Sequence, residues 1–228
     1  MDQIALWLPV VWIAVLGVAI AMYVILDGFD LGLGILFPFA RNEEDRDLMM
    51  NSVAPFWDGN ETWLILGGGG LWVAFPVAFG IIMPALYIPV ILMLLALIFR
   101  GVAFEFRFVA KPNNKPWDLA FWLGSTIAAF AQGMVLGGLI QGITFANREF
   151  AGGPLDWLSP FAIMCGIGLV VGYALLGACW LMAKTEGAVA VRARQIAPGL
   201  LGGLLLFIAI VSIWTPISVP RIAERWFS

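Results

Sequence analysis

Long apolar runs recur along the whole chain and constrain its fold more than any other feature. A helix needs about 20 mostly apolar residues to cross the hydrocarbon core of a bilayer, and several runs reach that length. Charged residues make up 12% of the 228 residues, against roughly 25% in a typical soluble domain. The predicted fold class is therefore all-α, a polytopic membrane helix bundle, with residues 1–228 forming a single integral-membrane domain.

The apolar runs predict six membrane-spanning helices. They cover approximately residues 4–39, 58–77, 81–108, 118–145, 159–183 and 197–217. The segments 41–47 and 107–118 are predicted to be polar loops. Pro76 and Gly80 mark a tight, uncharged turn between the second and third spans. Consecutive connections are therefore expected on opposite sides of the membrane.

The distribution of lysine and arginine predicts the orientation of the bundle. The connections after the first, third and fifth spans share one side, which carries Arg41, Arg46, Arg107, Lys111, Lys115, Lys184, Arg192 and Arg194. The opposite side carries Arg148, Arg221 and Arg225. Because basic residues accumulate on the cytoplasmic side, the first side is predicted to be cytoplasmic. The N-terminus is accordingly predicted to lie outside.

Carboxylates interrupt the apolar runs at several positions. Asp27 and Asp30 lie near the end of the first predicted span, Asp58 and Glu61 lie at the start of the second, and Glu105 lies near the end of the third. An ionisable group inside a membrane costs about 2.5–3.5 kcal/mol on insertion scales, so it is expected to have a function or a partner. Under the predicted topology these acids gather in the cytoplasmic half, which indicates proton movement.

Each acidic motif also has a structural interpretation. Asp27 and Asp30 are three residues apart and share one face of a helix, where they either line a hydrated crevice or cap the helix end at the headgroups. Asp58 suits the N-cap of the second helix. The adjacent Asn60 and Glu61 favour instead a functional cluster directed into the bundle.

Arg100 is the one cation well inside a predicted span, and it needs a counter-charge. Glu105 is roughly 140° away around a helix, so it does not face Arg100. Arg107, seven residues away, does share its face. The expected partner of Arg100 is a carboxylate of another helix, such as Asp58, and the alternative is that Arg100 extends to the interface.

Four uncharged side chains are candidates for supporting roles. Trp57 and Trp63 flank the acids of the second span and fit an interfacial aromatic belt. Gln132 and Gln141 lie among small residues of the fourth span, where close helix packing is favoured. We expect both glutamines to form hydrogen bonds between helices, with contact to a quinone headgroup as the alternative.

Composition excludes several other functions. The chain contains no histidine, which is the commonest metal ligand and a frequent axial ligand of haem. No haem bound through histidine and no metal site is therefore expected in this chain. Cys165 and Cys179 are about 21 Å apart along one helix, too far for a disulfide, and are predicted to be small buried apolar residues. No basic stripe is present, so nucleic acid is not expected as a partner.

Three motifs together resemble a known family. DGFDLG, APFWDGNETWL and LIFRGVAFEFR are similar, in order and spacing, to subunit II of cytochrome bd-type quinol oxidases, including the cyanide-insensitive branch. The resemblance covers residues 23–145, and the later spans resemble the family by hydropathy. It implies a terminal oxidase of the bacterial inner membrane that oxidises quinol and reduces dioxygen to water. Family members usually continue beyond a sixth span, so the sequence is expected to be truncated or short for its family.

The resemblance also implies cofactors, partners and a role for the acids. Haem b and haem d are expected in subunit I, which would form a heterodimer with this chain. Quinol and membrane lipid are further expected partners, and the resemblance allows a small accessory subunit and a bound quinone. By motif position, Asp27, Asp58 and Glu105 would line a proton route from the cytoplasm to the oxygen-reducing haems, with Asp30 near its mouth. A proton-coupled transporter and a purely structural assembly subunit are the alternatives.

Overall fold

The computed structural model describes residues 3–226, and this range is almost entirely helical. The helices are α1 (Gln3–Leu36), α2 (Glu43–Val53), α3 (Trp57–Ala74), α4 (Pro76–Ala85), α5 (Tyr87–Val109), α6 (Lys115–Gln141), α7 (Pro160–Lys184), α8 (Gly187–Ser218) and α9 (Pro220–Trp226). Two short strands, β1 (Phe145–Ala146) and β2 (Glu149–Phe150), pair as an antiparallel hairpin. The predicted all-α fold class is confirmed. Met1, whose side of the membrane was predicted, lies outside the described residues.

Five helices in the described range are long and apolar enough to cross a membrane, namely α1, α5, α6, α7 and α8. The predicted multi-pass bundle is therefore confirmed, with a difference in the count. The second of the six predicted spans, residues 58–77, corresponds to α3, which has 18 residues and is not among these five. Its first two turns carry several polar side chains and its centre is a run of four glycines, which together lower its mean hydropathy.

Two connections differ from their predictions. The predicted polar loop 41–47 is largely the start of α2, because Asn42 caps that helix and accepts a hydrogen bond of 2.7 Å from the Asp45 amide. The tight turn predicted at Pro76 and Gly80 is instead the helix α4. Proline is favoured in the first turn of a helix, because the N–H that it lacks would have no partner within the helix there.

The bundle is organised around α1, α6 and α7, which pack against one another. The helix α3 packs along α1, α5 packs along α6, and α8 packs along α7. Glycines permit the closest approach, between α1 and α7. A Cβ at Gly32 would lie 1.8 Å from the carbonyl oxygen of Tyr173, and one at Gly177 would lie 2.4 Å from the carbonyl carbon of Gly32. This contact brings α7 against the turn of α1 that carries Asp27 and Asp30.

The connections predicted to share one side of the membrane lie at one end of the bundle. There Arg107 of α5 pairs with carboxylates of α2 and α6, and Arg192 of α8 donates a hydrogen bond to the carbonyl oxygen of Phe39. We call this the basic end. The hairpin contacts α4 at the other end. Which end faces the cytoplasm stays a prediction.

Candidate functional site

Arg100 lies at the centre of a buried group of charges. Its guanidinium is 0% exposed, and Nη1 lies 2.9 Å from Oδ1 of Asp27. Nη1 is also 3.3 Å from Oε2 of Glu61, and Nη2 is 3.6 Å from Oδ2 of Asp30. The prediction that Arg100 pairs with carboxylates of other helices is confirmed. The specific partner suggested, Asp58, was wrong, because the carboxylates that reach the guanidinium belong to α1 and to the second turn of α3.

Helix packing holds these groups together. Asp27 and Asp30 are one turn apart on α1 and both are fully buried, as their spacing predicts. Gly124 of α6 allows α5 to come close, since a Cβ there would lie 2.9 Å from the backbone nitrogen of Arg100. Asn60 of α3 is buried and its Nδ2 donates a hydrogen bond of 2.8 Å to Oδ2 of Asp30. We refer to Arg100, Asp27, Asp30, Asn60 and Glu61 as the Arg100 cluster.

Aromatic rings enclose one side of the Arg100 cluster. The guanidinium carbon lies 5.6 Å from the ring centroid of Trp57 and 5.8 Å from that of Phe104. These two rings stack on each other with centroids 4.9 Å apart. Cation–π attraction of this kind is favoured where the cation is shielded from water. Trp63, the second tryptophan singled out in the sequence, is half-buried elsewhere on α3.

The hydrogen bonding of the Arg100 cluster is incomplete. Within the described part of the chain, the buried side-chain nitrogen and oxygen atoms without a hydrogen-bond partner are Oδ1 and Oδ2 of Asp27, Oδ1 of Asp30, Nε and Nη2 of Arg100 and Oγ of Ser125. The contact of 2.9 Å between Asp27 and Arg100 is an ion pair but is not aligned as a hydrogen bond. Three carboxyl groups thus share one cation without saturating its donors.

An open groove of about 340 Å³ leads to the cluster between α3 and α5. Asp58 and Glu61 both line it, together with Trp57 and Gly101. Glu61 therefore faces the groove and Arg100 at once, and its side chain is 26% exposed. Asp58 is exposed. The structural alternative for Asp58, an N-cap role, is not found, because α3 begins one residue earlier, at Trp57, and has Phe56 in the cap position.

Glu105 lies apart from this arrangement. It is exposed on α5, whereas Arg100 and Arg107 point into the bundle from the same helix. This agrees with the angle of roughly 140° between residues five apart on a helix. Among the ion pairs of the described residues, none involves Glu105. Its place in a proton route stays a prediction.

A second, largely buried polar chain lies next to Asp27, and its two tyrosines were not singled out from the sequence. Nε2 of Gln132 on α6 donates a hydrogen bond of 2.6 Å to the hydroxyl of Tyr23 on α1. The hydroxyl of Tyr173 on α7 donates one of 2.8 Å to Oε1 of Gln132. The interhelical role predicted for Gln132 is confirmed. A tyrosine four residues before a membrane aspartate was the signal that could have indicated it.

Gln141 has a comparable structural role at the far end of α6. The hydroxyl of Ser159, which caps α7, donates a hydrogen bond to Oε1 of Gln141. This bond joins the end of α6 to the start of α7, as predicted. Within the described residues no group of three or more His, Cys, Asp or Glu side chains could hold a metal ion. Cys165 is buried and Cys179 is exposed, so the prediction that both are buried was wrong for Cys179.

A second buried arginine, Arg107, lies at the basic end. Its guanidinium contacts Glu43 and Asp47 of α2, each at 2.5 Å, and Asp118 of α6 at 2.6 Å. Lys111 pairs with Asp47 as well. Arg46 and Asn114 complete the group through the other two carboxylates. We call these residues the Arg107 cluster. The sequence predicted loops here and did not indicate it.

The charges of the Arg107 cluster act on the titration of Asp47. Partial burial opposes ionisation of this carboxyl, but hydrogen bonds from Arg107 and Lys111 outweigh it. Together they hold the pKa of Asp47 below its ordinary value. The carboxyl is therefore ionised at neutral pH.

The sequence is similar to a known family over nearly its whole length. Residues 8–226 match the family described as cytochrome bd terminal oxidase subunit II. The chain is 33% identical over 212 residues to cytochrome bd-I ubiquinol oxidase subunit 2 of Escherichia coli, which covers 90% of this chain and 56% of that protein. It is 33% identical over 215 residues to a probable cytochrome oxidase subunit 2 of Haemophilus influenzae, with the same coverage.

A third relative gives the same result. The chain is 32% identical over 207 residues to cytochrome bd ubiquinol oxidase subunit 2 of Bacillus subtilis, which covers 88% of this chain and 60% of that protein. The chain thus spans a little over half the length of the curated relatives it matches. Their bacterial origin and the five apolar helices together identify a multi-pass protein of the bacterial inner membrane.

Proposed function

The chain belongs to the cytochrome bd terminal oxidase subunit II family, and from this premise we propose that it acts as subunit II of a membrane quinol:dioxygen oxidoreductase. In this proposal it packs beside subunit I, which holds haem b and haem d. The lack of histidine in the chain supports placing the haems in the partner. Quinol, membrane lipid and a small accessory subunit are proposed as further partners, and a bound quinone as a further ligand.

We further propose that the Arg100 cluster carries protons toward the partner's haems. The observation that carries this proposal is the charge imbalance of the cluster, in which Asp27, Asp30 and Glu61 surround the single cation Arg100. Leaving all three carboxyls ionised would bury excess negative charge, which is costly in a medium of low polarity. Protonation of one or two of them removes that excess. The cluster is therefore suited to take up and release protons.

In this proposal, protons enter the Arg100 cluster through the groove between α3 and α5. Asp58 is exposed in the groove, and Glu61 lies one turn further along α3 and reaches Arg100. A proton taken up at Asp58 would pass to Glu61 and then to Asp30 or Asp27. The buried polar atoms without a protein partner support hydration of this path, since such atoms are generally satisfied by ordered water. Water between the carboxyls would supply the transfer steps that side chains alone do not bridge.

Conservative variants of the acids test this proposal in the oxidase purified with subunit I. Glu61→Gln and Asp30→Asn keep shape but lose the titrating proton, so we expect quinol-driven oxygen consumption to fall at least several-fold. The visible spectrum should still report assembled and reducible haems. A matched control is Glu149→Gln, since this exposed glutamate lies on the hairpin at the opposite end. Turnover equal to the parent in both cluster variants, at every pH, would contradict a proton route.

The same experiment separates the structural alternative. If Asp30→Asn and Glu61→Gln lose haem or subunit I instead of turnover, the acids serve assembly. Asp58→Asn and Glu105→Gln extend the series outward from the cluster. A defect in Asp58→Asn supports entry through the groove, and a defect in Glu105→Gln alone would move the route to the outer side of α5.

The direction of proton entry depends on topology. We propose that the basic end faces the cytoplasm and that the N-terminus lies outside, on the basis of the arginine and lysine distribution. Single cysteines introduced into a background lacking Cys165 and Cys179 would test this with an impermeant thiol reagent. Residues 110–114, between α5 and α6, should be protected in intact cells and labelled in inverted vesicles. Labelling of this loop from outside would reverse the proposed direction.

A further inference from the structure

We propose that Tyr23, Gln132 and Tyr173 form a directional hydrogen-bonded chain that orients the Tyr23 hydroxyl toward Asp27 and keeps Asp27 as the ionised counter-ion of Arg100. Asp30 and Glu61 are then the carboxyls that hold the transported proton. Tyr23 is a positioning residue in this scheme. The inference rests on the proposed proton route and assigns different roles to its carboxyls.

Donor counting gives the chain its direction. A tyrosine hydroxyl has one proton to donate, and a glutamine amide has donors only on Nε2 and acceptors only on Oε1. Tyr173 donates its proton to Oε1 of Gln132, and Nε2 of Gln132 donates to the hydroxyl oxygen of Tyr23. The single proton of Tyr23 cannot return to this amide nitrogen. It is left for another acceptor.

Asp27 is the acceptor that we assign to that proton. It lies four residues after Tyr23 on α1, on the same face of the helix, and neither of its carboxyl oxygens has a hydrogen-bond partner among the described residues. The reverse orientation of the Gln132 amide would turn the Tyr23 proton toward α6. Asp27 would then keep Arg100 as its sole polar contact among the described residues. The orientation in which Tyr23 faces Asp27 offers a hydrogen-bond donor to a buried carboxylate that otherwise has none among the described residues.

Asp30 and Glu61 have different surroundings from Asp27. Asp30 accepts from the amide of Asn60, and its other oxygen has no hydrogen-bond partner in the described chain. Glu61 opens to the groove. Both are also farther from the guanidinium, at 3.6 and 3.3 Å against 2.9 Å for Asp27. In this proposal the shorter contact with the guanidinium and the added Tyr23 donor keep Asp27 as the anion, and the other two carboxyls exchange protons.

Several ionisable groups face Asp27 and would contribute to any pH dependence. They are Tyr23 and Asp30 of α1, Glu61 of α3, Arg100 of α5 and Tyr173 of α7. Arg100 stays charged throughout the accessible range, and the tyrosines stay neutral. The titration that matters is thus shared among three carboxyls, and Tyr23 biases it by favouring the anion on one of them.

Tyrosine-to-phenylalanine variants of the oxidase assembled with subunit I test the inference. Tyr23→Phe keeps the ring but removes the proposed donor to Asp27. Asp27 should then become protonated at a higher pH than in the parent. We expect the acid side of the pH profile of oxygen consumption to move upward by roughly one pH unit. Tyr173→Phe should give a smaller shift in the same direction, because Gln132 loses the bond that orients it. Tyr87→Phe is the matched control, since Tyr87, the remaining tyrosine of the chain, is exposed at the start of α5.

The outcomes distinguish this inference from the proposed proton route on which it rests. Shifts in Tyr23→Phe and Tyr173→Phe, with none in Tyr87→Phe, support the orienting chain. A parent-like pH profile in Tyr23→Phe, while Asp30→Asn slows turnover, would overturn the chain and leave the proton route intact. If Tyr23→Phe does not assemble, an unshifted profile in Tyr173→Phe would equally overturn it. Failure of both Asp30→Asn and Glu61→Gln to slow turnover would instead remove the proton route itself.

Discussion

Arg100 and Arg107 are two arginines of the same helix with opposite surroundings. They are seven residues apart, lie on one face of α5 and are both fully buried. Each is also surrounded by three carboxylates from two other helices. Residue type, burial and number of acidic neighbours therefore do not distinguish them.

Charge balance and hydrogen bonding do distinguish them. Around Arg107 every contact is 2.5 or 2.6 Å, and Lys111 and Arg46 bring the cations to three against three acids. Around Arg100 the contacts are 2.9 to 3.6 Å, the acids outnumber the single cation, and two guanidinium nitrogens lack a hydrogen bond among the described residues. A saturated, neutral cluster fixes α2 to the bundle. An unsaturated, acidic one retains the capacity to bind protons.

The largest expected effect is on stability when Arg100 is removed. Arg100→Gln leaves the buried Asp27 and Asp30 without a cation, and breaking a buried ion pair in this way typically costs about 3–5 kcal/mol. Denaturant unfolding of the assembled complex in detergent measures this loss. Arg107→Gln should cost clearly less, because Glu43 and Asp47 are partly exposed and keep Arg46 and Lys111 nearby. Equal losses of unfolding free energy in the two variants would show that charge balance does not distinguish the two arginines.

The next effect separates stability from turnover. Asp118→Asn weakens one charged hydrogen bond to Arg107, so we expect a loss of about 1.5–3 kcal/mol in unfolding free energy with oxygen consumption per haem unchanged. Asp30→Asn should have the opposite pattern, with slowed turnover and a smaller change in stability. The test is to measure unfolding free energy and oxygen consumption per haem on both variants. A turnover defect in Asp118→Asn would mean that the Arg107 cluster also handles protons.

The smallest expected effect is a dependence of stability on acid. Because the folded chain holds the pKa of Asp47 below its ordinary value, this carboxyl contributes stability above a pH of about 4. That contribution is lost as the pH falls through the lower folded pKa. The side chain is 27% exposed, so we expect a contribution of less than about 1 kcal/mol. Thermal unfolding between mildly acidic and strongly acidic pH should be less pH-dependent in Asp47→Asn than in the parent.

Much of the fold follows from the sequence because a membrane leaves few alternatives. Apolar runs of sufficient length must satisfy their backbone hydrogen bonds internally, so they form helices. The same local argument places Asp27 and Asp30 on one face of α1 and turns Glu105 away from Arg100. It also indicates that Arg100 requires a carboxylate from another helix. These conclusions depend on spacing within one helix, which the sequence states directly.

The identity of the partners was decided by tertiary structure. Glu61 rather than Asp58 reaches Arg100 because the start of α3 and its rotation against α5 select which turn faces inward. The chain from Tyr173 through Gln132 to Tyr23 spans three helices, and its members are separated by 41 and 109 residues. The Arg107 cluster likewise depends on α2 folding back over the basic end. Contacts of this kind depend on the order, depth and rotation of helices distant in sequence, which no local pattern specifies.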